Sequence, residues 1–247
     1  MKNLVKKLLR IGLSPFVVGS YIAFRTADKD SGIPARFPIR LRDFYPQIKD
    51  KTINTGFDRH YVYHTSWAAR IVAETRPAKH IDISSSLYFS GLVSAFVPVE
   101  FYDYRPADLR LSNLESKHGD LMALPFADNS VASLSCMHTI EHIGLGRYGD
   151  PIDPNGDIKA CKELSRVLAP NGSILFVTPL GETARIEWNA HRIYTHEQVL
   201  ALFPGLKLKE FSLIPERGDK GGLIRNADPK LLSGERYACG CFHFVKK

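Results

Sequence analysis

Cysteine is scarce in this chain, with four residues in 247, at positions 136, 161, 239 and 241. None stands in a Cys-x-x-Cys pair, so neither a zinc ribbon nor a thioredoxin-type redox motif is spelled out, and no bound metal is expected. Buried, reduced thiols in a cytoplasmic protein are the expectation. No apolar run reaches the roughly 20 residues that span a bilayer. No internal repeat is visible. No Gly-x-Gly-x-x-Gly follows the first strand-like segment, which removes the bare backbone that a dinucleotide pyrophosphate needs. The composition is otherwise ordinary, 44% hydrophobic and 24% charged, which excludes a disordered or fibrous chain.

A basic body is also missing. Of the net charge of +7, six units sit at the ends, on Lys2, Lys6, Lys7, Arg10, Lys246 and Lys247. The residues between are nearly neutral, so a nucleic-acid groove is not expected. The basic start runs into the apolar stretch Ile11–Phe24, which Ser14, Pro15, Gly19 and Ser20 interrupt. Residues 1–24 read as a helix packed on a core or partner, or as a basic segment making peripheral contact with an anionic membrane. Residues 25–58 are rich in Pro, Arg, Asp and Lys without a sustained period. The expected division is therefore 1–58, a basic and apolar helix with an extended connector, and 59–247, the main domain.

From Arg59 the pattern turns helical, with Tyr61, His64, Trp67, Ala68, Ile71 and Val72 at three- and four-residue spacing, and Pro77 ends it. Short apolar runs then alternate with helical stretches. Strands are expected at His80–Ile83, Val99–Tyr102, Val131–Met137, Ser173–Val177, Lys207–Leu213 and Tyr237–Val245. Helices are expected at Leu87–Phe96, Asp157–Leu168 and Thr195–Phe203, with 105–119 irregular. This alternation predicts an α/β fold, a doubly wound and mostly parallel sheet with an antiparallel edge from its last two strands.

In such a sheet, ligands bind outside the carboxyl ends of the strands, near the point where strand order reverses. Four segments fall there: Asp82 with Ser84 to Ser86; Asp103; Asp120-Leu121; and Met137 to His142. Asp103 follows Asp82 by 21 residues, and its two carboxylate oxygens suit the two hydroxyls of a ribose. Asp120-Leu121 suits an adenine amine.

The order Asp82, Asp103, Asp120-Leu121, Leu124 to Ser130, Glu141-His142 and Arg166-Val167-Leu168-Ala169-Pro170-Asn171-Gly172 resembles the class I methyltransferases, a Rossmann-like superfamily that uses S-adenosylmethionine. More narrowly, HIDISS, FYDYRP, SLSCMHTIEHIGLGRYGDPIDPNGD and NAHRIYT resemble a bacterial family of methyltransferase-like proteins defined only as a domain of unknown function. The resemblance covers about residues 55–215. It implies methyl transfer from S-adenosylmethionine to a small-molecule or glycan-like acceptor. The cofactor would contact Asp82, Ser84, Ser86, Asp103, Asp120, Leu121 and Met137. The superfamily's glycine-rich loop after the first acid is replaced here by three serines, whose hydroxyls suit a carboxylate or amine of the cofactor. A non-catalytic methyltransferase-like module acting through a partner is the alternative.

His142 and His191 fall in loops expected to converge above the sheet, where a neutral imidazole is suited to take the acceptor's proton. Arg147, Tyr148, Asn189 and Arg192 are the expected acceptor-binding residues. The loops Gly144–Asp157 and Asn189–Tyr194 are expected to touch and to wall one cleft above Asp82 and Asp120. His138, Glu141 and His142 also spell the inverted zinc-peptidase motif H-x-x-E-H, which needs both histidines on one helical face. Gly144-Leu145-Gly146 leaves barely a turn of helix for it, so zinc hydrolysis is the least favoured reading.

Overall fold

The computed structural model describes residues 15–34, 36–47 and 49–247. The chain forms two compact units, one up to Gly56 and one from Phe57 to Lys247. In the first, α1 (Pro15–Asp30) is followed by a short 3-10 turn at Leu41–Asp43. Its Phe16, Ile22 and Phe24 are exposed, and Tyr21 meets the ring of Phe44 edge-on. Residues 1–14, which carry most of the basic start, lie outside the described residues. No helix among the described residues is long and apolar enough to cross a membrane.

The second unit contains α2 (Arg59–Thr75), β1 (His80–Ile83), α3 (Leu87–Val93), β2 (Val99–Asp103), β3 (Leu114–His118) and β4 (Val131–Met137). There follow α4 (Gly156–Val167), β5 (Leu168–Leu180), β6 (Arg185–Glu187), β7 (His191–Ile193), α5 (His196–Leu202), β8 (Leu206–Ile214) and β9 (Ala238–Lys246). Seven strands form one sheet in the order β3-β2-β1-β4-β5-β9-β8. The first five are parallel, and β9 runs antiparallel to both β5 and β8. This is the doubly wound, mostly parallel sheet with an antiparallel edge that the pattern predicts, and strand order reverses between β1 and β4.

Side-chain alternation along each strand divides the core into two layers. Leu134, Cys136, Ile174, Phe176, Phe242 and Phe244 face α4 and α5 through Leu164, Val167, Val199 and Phe203. Met137, Leu175, Val177, Cys239 and Cys241 face α2 and α3 through Trp67, Ile71, Val72, Phe89 and Val93. Burying each large side chain contributes about 1.5–3 kcal/mol, so two covered faces supply the bulk of the stabilisation. The Arg166–Gly172 segment works as an anchor. Arg166 donates to Glu163, to Asp128 and to the carbonyls of Leu124 and Phe126, clamping the preceding Leu124–Ser130 turn.

Two expected loops are ordered elements. The segment 105–119 contains β3, which its polar Leu-Glu-Ser-Lys-His sequence hides, because only Leu114 is buried there. The expected loop Asn189–Tyr194 is largely a hairpin arm, with β6 and β7 antiparallel. Thr195 caps α5 in a capping box completed by Gln198.

Candidate functional site

β1 ends in a left-handed turn. Ser84 has φ of 53°, a conformation that normally favours glycine. Its backbone N–H donates to Tyr102 O at 2.8 Å and its hydroxyl donates to the same oxygen at 3.2 Å. The left-handed turn is thus made by a serine held from β2. Ser85 Oγ accepts from Met137 N at 3.0 Å, and Thr139 donates to Ser84 O at 3.0 Å. These bonds tie the end of β1 to the end of β4.

Above this floor lies a cavity of about 310 Å³. Ser84, Ser86, Asp103, Asp120, Leu121, Met137, His142 and Tyr148 line it, along with Tyr61, Ser85, His138 and Thr139. Asp103 accepts from Arg105 N at 2.8 Å and Asp120 from Met122 N at 2.8 Å. Both carboxylates are thereby fixed at the rim. A second cavity of about 590 Å³ is lined by Arg59, His60, His138, Glu141, His142, Arg147, Ala190, His191 and Tyr237, among others. Tyr61, His138, His142 and Tyr148 belong to both walls.

Three expected site residues stand elsewhere. Asp82 is fully buried below the first cavity and does not line it. It accepts from Ser90 and, at 2.6 Å, from Ser135, and burial raises its pKa to about 6. Ser135 in turn meets His80 Nε2 at 2.9 Å, while His80 Nδ1 meets Ser133 at 2.8 Å. With Ser135 donating to Asp82, His80 carries its proton on Nε2 and accepts on Nδ1. Burial lowers His80 to a pKa of about 3, so it is neutral. Arg192 is also turned inward. It donates to Ile143 O at 2.7 Å and lies 3.7 Å from Asp157, latching the hairpin to the loop before α4. Asn189 is exposed at the hairpin turn and lines neither cavity.

The two connecting segments touch. His142 Nδ1 donates to Ala190 O at 2.7 Å, and Arg147 donates to the same oxygen at 2.8 Å. The rings of His142 and His191 lie 6.3 Å apart. Gly144 has φ of 78°, and a Cβ there would collide with Asp153 O, so glycine is required where the loop doubles back. Burial holds the His142 ring below its ordinary pKa, and its Nδ1 proton is committed to Ala190. The lone pair therefore sits on Nε2.

The H-x-x-E-H segment does not form the face that a zinc peptidase needs. Only its last three residues, Ile140–His142, form a helical turn, and that turn is 3-10. Glu141 is buried and accepts from His138 Nδ1 at 2.8 Å. Burial alone would raise its carboxyl, but the bond and charge of His138, with His142, outweigh it and hold the pKa below the ordinary value. Sequence reasoning assigned no site role to His60, Tyr61 or Tyr237, and took in Ser85 and His138 only as members of strand-end segments, His138 also in the zinc-peptidase motif. His60 and Tyr237 lie 177 residues apart and stack at 5.0 Å, a pairing that no local pattern reveals.

Residues 114–214 match the model of a family described as a Caenorhabditis protein of unknown function, DUF268. That description does not support the expected bacterial family. A search of curated proteins gives no match. Among solved structures, the 1,6-didemethyltoxoflavin-N1-methyltransferase of Burkholderia thailandensis, with S-adenosylhomocysteine bound, is 10% identical. The alignment covers 95% of this chain and 91% of that one, with a TM-score of 0.55. The N-methyltransferase NodS of Bradyrhizobium japonicum, also with S-adenosylhomocysteine, is 12% identical over 74% and 85% of the two chains, with a TM-score of 0.50. The [4+2]-cyclase SpnF is 12% identical over 74% and 81%, with a TM-score of 0.51. The fold is that of the class I methyltransferases. A cyclase among its neighbours shows that this fold alone does not name a reaction.

Proposed function

We propose that the first cavity binds S-adenosylmethionine and that the second holds a small-molecule or glycan-like acceptor for its methyl group. The observation that carries this reading is the shared wall. A cavity built at the ends of neighbouring parallel strands, where the fold places ligands, meets a second, polar cavity through Tyr61, His138, His142 and Tyr148. The cofactor fits the residues present, since Ser84 supplies the left-handed turn and two fixed carboxylates stand on the rim.

In this reading Asp103 holds the ribose hydroxyls, Asp120 and Leu121 the adenine, and Ser84 and Ser86 the amino-acid end, with Met137 on the floor. Asp82 acts from below, tying β1 to β4 through Ser135 and to α3 through Ser90. The bound cofactor supplies an electrophilic methyl group. His142 Nε2 takes the acceptor's proton, while Ala190 fixes the tautomer. His191, Arg147 and Tyr148 position the acceptor, and orientation supplies most of the rate. The four cysteines are free and buried, which suits a reducing cytoplasm.

Isothermal titration with S-adenosylhomocysteine tests the assignment. Asp103→Ala should weaken binding by roughly 10–150-fold, since hydrogen bonds to a charged group contribute about 1.5–3 kcal/mol. Unchanged affinity would remove Asp103 from the ribose. No binding by the intact protein would favour the non-catalytic module.

A further inference from the structure

We propose that His60, His138 and Cys239 bind one divalent ion of the zinc class at the floor of the second cavity. One imidazole nitrogen from each histidine and the Cys239 sulfur all lie within 4.8 Å of one another. His138 Nε2 stands 3.5 Å from Cys239 Sγ. Ligand bonds of roughly 2.0–2.1 Å to nitrogen and 2.3 Å to sulfur put the edges of a tetrahedral zinc site at about 3.3–3.6 Å. One edge is therefore already at coordination length. The others close with about an ångström of side-chain movement or less. Two imidazole nitrogens with one thiolate sulfur select a borderline-soft cation.

Two further observations point to a missing cation. Glu141 is fully buried, no lysine or arginine among the described residues forms an ion pair with it, and its Oε2 has no hydrogen-bond partner. Its contact is His138 Nδ1, which makes the carboxylate–histidine arrangement that orients metal-bound imidazoles. A divalent cation, one thiolate and one carboxylate sum to zero charge, which removes the cost of a lone buried anion. His64, one helical turn beyond His60 and fully buried, also has an unpartnered Nε2, and its ring lies 5.0 Å from that of His138.

Cys239 is sealed from solvent, so the geometry suits an ion better than a thiol nucleophile that must reach a substrate. Metal binding forms the metal–sulfur bond, breaks the Cys239 S–H bond and releases the proton to solvent. His60 and His138 both line the second cavity, which leaves the fourth position to water or to an acceptor heteroatom.

The test uses the full chain, stripped with chelator under reducing conditions and titrated with Co²⁺ and then Zn²⁺. One Co²⁺ per chain should bind with a thiolate-to-cobalt charge-transfer band that Zn²⁺ abolishes. Affinity for Zn²⁺ should rise about tenfold per pH unit, because one proton leaves. Cys239→Ser should lose the band. His60→Ala, at the start of α2 and independent of the sheet, should weaken binding by roughly 100-fold or more, above the loss typical of a supporting residue. Cys161→Ser should change neither. Absence of the band in the intact protein, its survival in Cys239→Ser, or unchanged affinity in His60→Ala would each overturn the site. None of these readouts requires cofactor binding, so the site stands or falls apart from methyl transfer.

Discussion

The two cavities share four residues but arise in different ways. The first is built mainly at the ends of neighbouring strands, with Tyr61 of α2 and Tyr148 of the loop before α4 completing its wall. The second is assembled from α2, the turn after β4, the hairpin and the entry to β9, parts far apart in sequence. The first cavity therefore depends on the sheet, and the second on the docking of separate elements. α2 is fixed for that purpose. Trp67 Nε1 donates to Glu210 at 2.9 Å and Arg59 to Gly221 O at 2.5 Å, holding the helix across β8 and the loop that follows it. Damage to one cavity should leave the other measurable.

The largest separation is expected at His142. His142→Ala removes the proposed proton acceptor and should lower kcat by about 10²–10⁴-fold, while affinity for S-adenosylhomocysteine changes far less. The acid limb of the wild-type rate profile should fall below the ordinary histidine value, since burial depresses this ring. Measured rates need an acceptor. Water-driven turnover of the cofactor, or a screen of small alcohols and sugars, provides the assay. Equal loss of binding and rate would mean that the cavities are not separable.

The next effect lies beneath the first cavity. His80 folds with a pKa of about 3 against 6.5 unfolded. The unfolded chain takes the proton first, so this contribution is complete above pH 6.5 and declines by about 1.4 kcal/mol per pH unit as pH falls toward 3. Asp82 has the opposite sign. Its folded pKa of about 6 exceeds its ordinary 3.8, so acidification between those values favours the fold. From pH 7 to pH 5 His80 costs about 2 kcal/mol and Asp82 returns about 1. The neutral rings of His60 and His243, each lowered to about 4, push the same way as His80. Urea unfolding should show lower stability at pH 5 than at pH 7, with a flatter dependence in His80→Gln. Stability that rose on acidification would show His80 protonated inside the fold.

Much of the first cavity was legible in the sequence, because periodicity locates strands and strands locate their own ends. Asp103, Asp120 and Met137 could be placed that way. Asp82 could not: position alone cannot tell a carboxylate facing the cleft from one turned under it toward Ser90 and Ser135. β3 stayed hidden because it buries a single leucine. The second cavity was mostly illegible. His60 and His64 share a helical face and His138 ends a strand, but only packing across the sheet edge brings Cys239 to them. Arg192 carried a loop residue's chemistry in a strand, where its guanidinium became a latch.

The smallest expected effect concerns the serine that stands for glycine. A non-glycine residue in the left-handed region costs about 1–2 kcal/mol, and the Ser84 hydroxyl offsets part of that through Tyr102 O. Ser84→Gly removes the strain but also the hydrogen bond, worth about 0.5–1.5 kcal/mol, and adds chain entropy to the unfolded state. These terms nearly cancel, so stability should stay within about 1 kcal/mol of wild type. Ser84→Ala keeps the strain and loses the bond, so it should be less stable than Ser84→Gly. Thermal unfolding of the pair reads that difference directly, because both lack the hydroxyl. Titration with S-adenosylhomocysteine then isolates the hydroxyl's role at the cofactor: both variants should bind more weakly, and to a similar degree. If Ser84→Gly is the less stable of the two, the left-handed turn is not what the serine supports. If both bind as wild type does, the amino-acid end of the cofactor is held by backbone, and the first cavity owes its shape to the sheet alone.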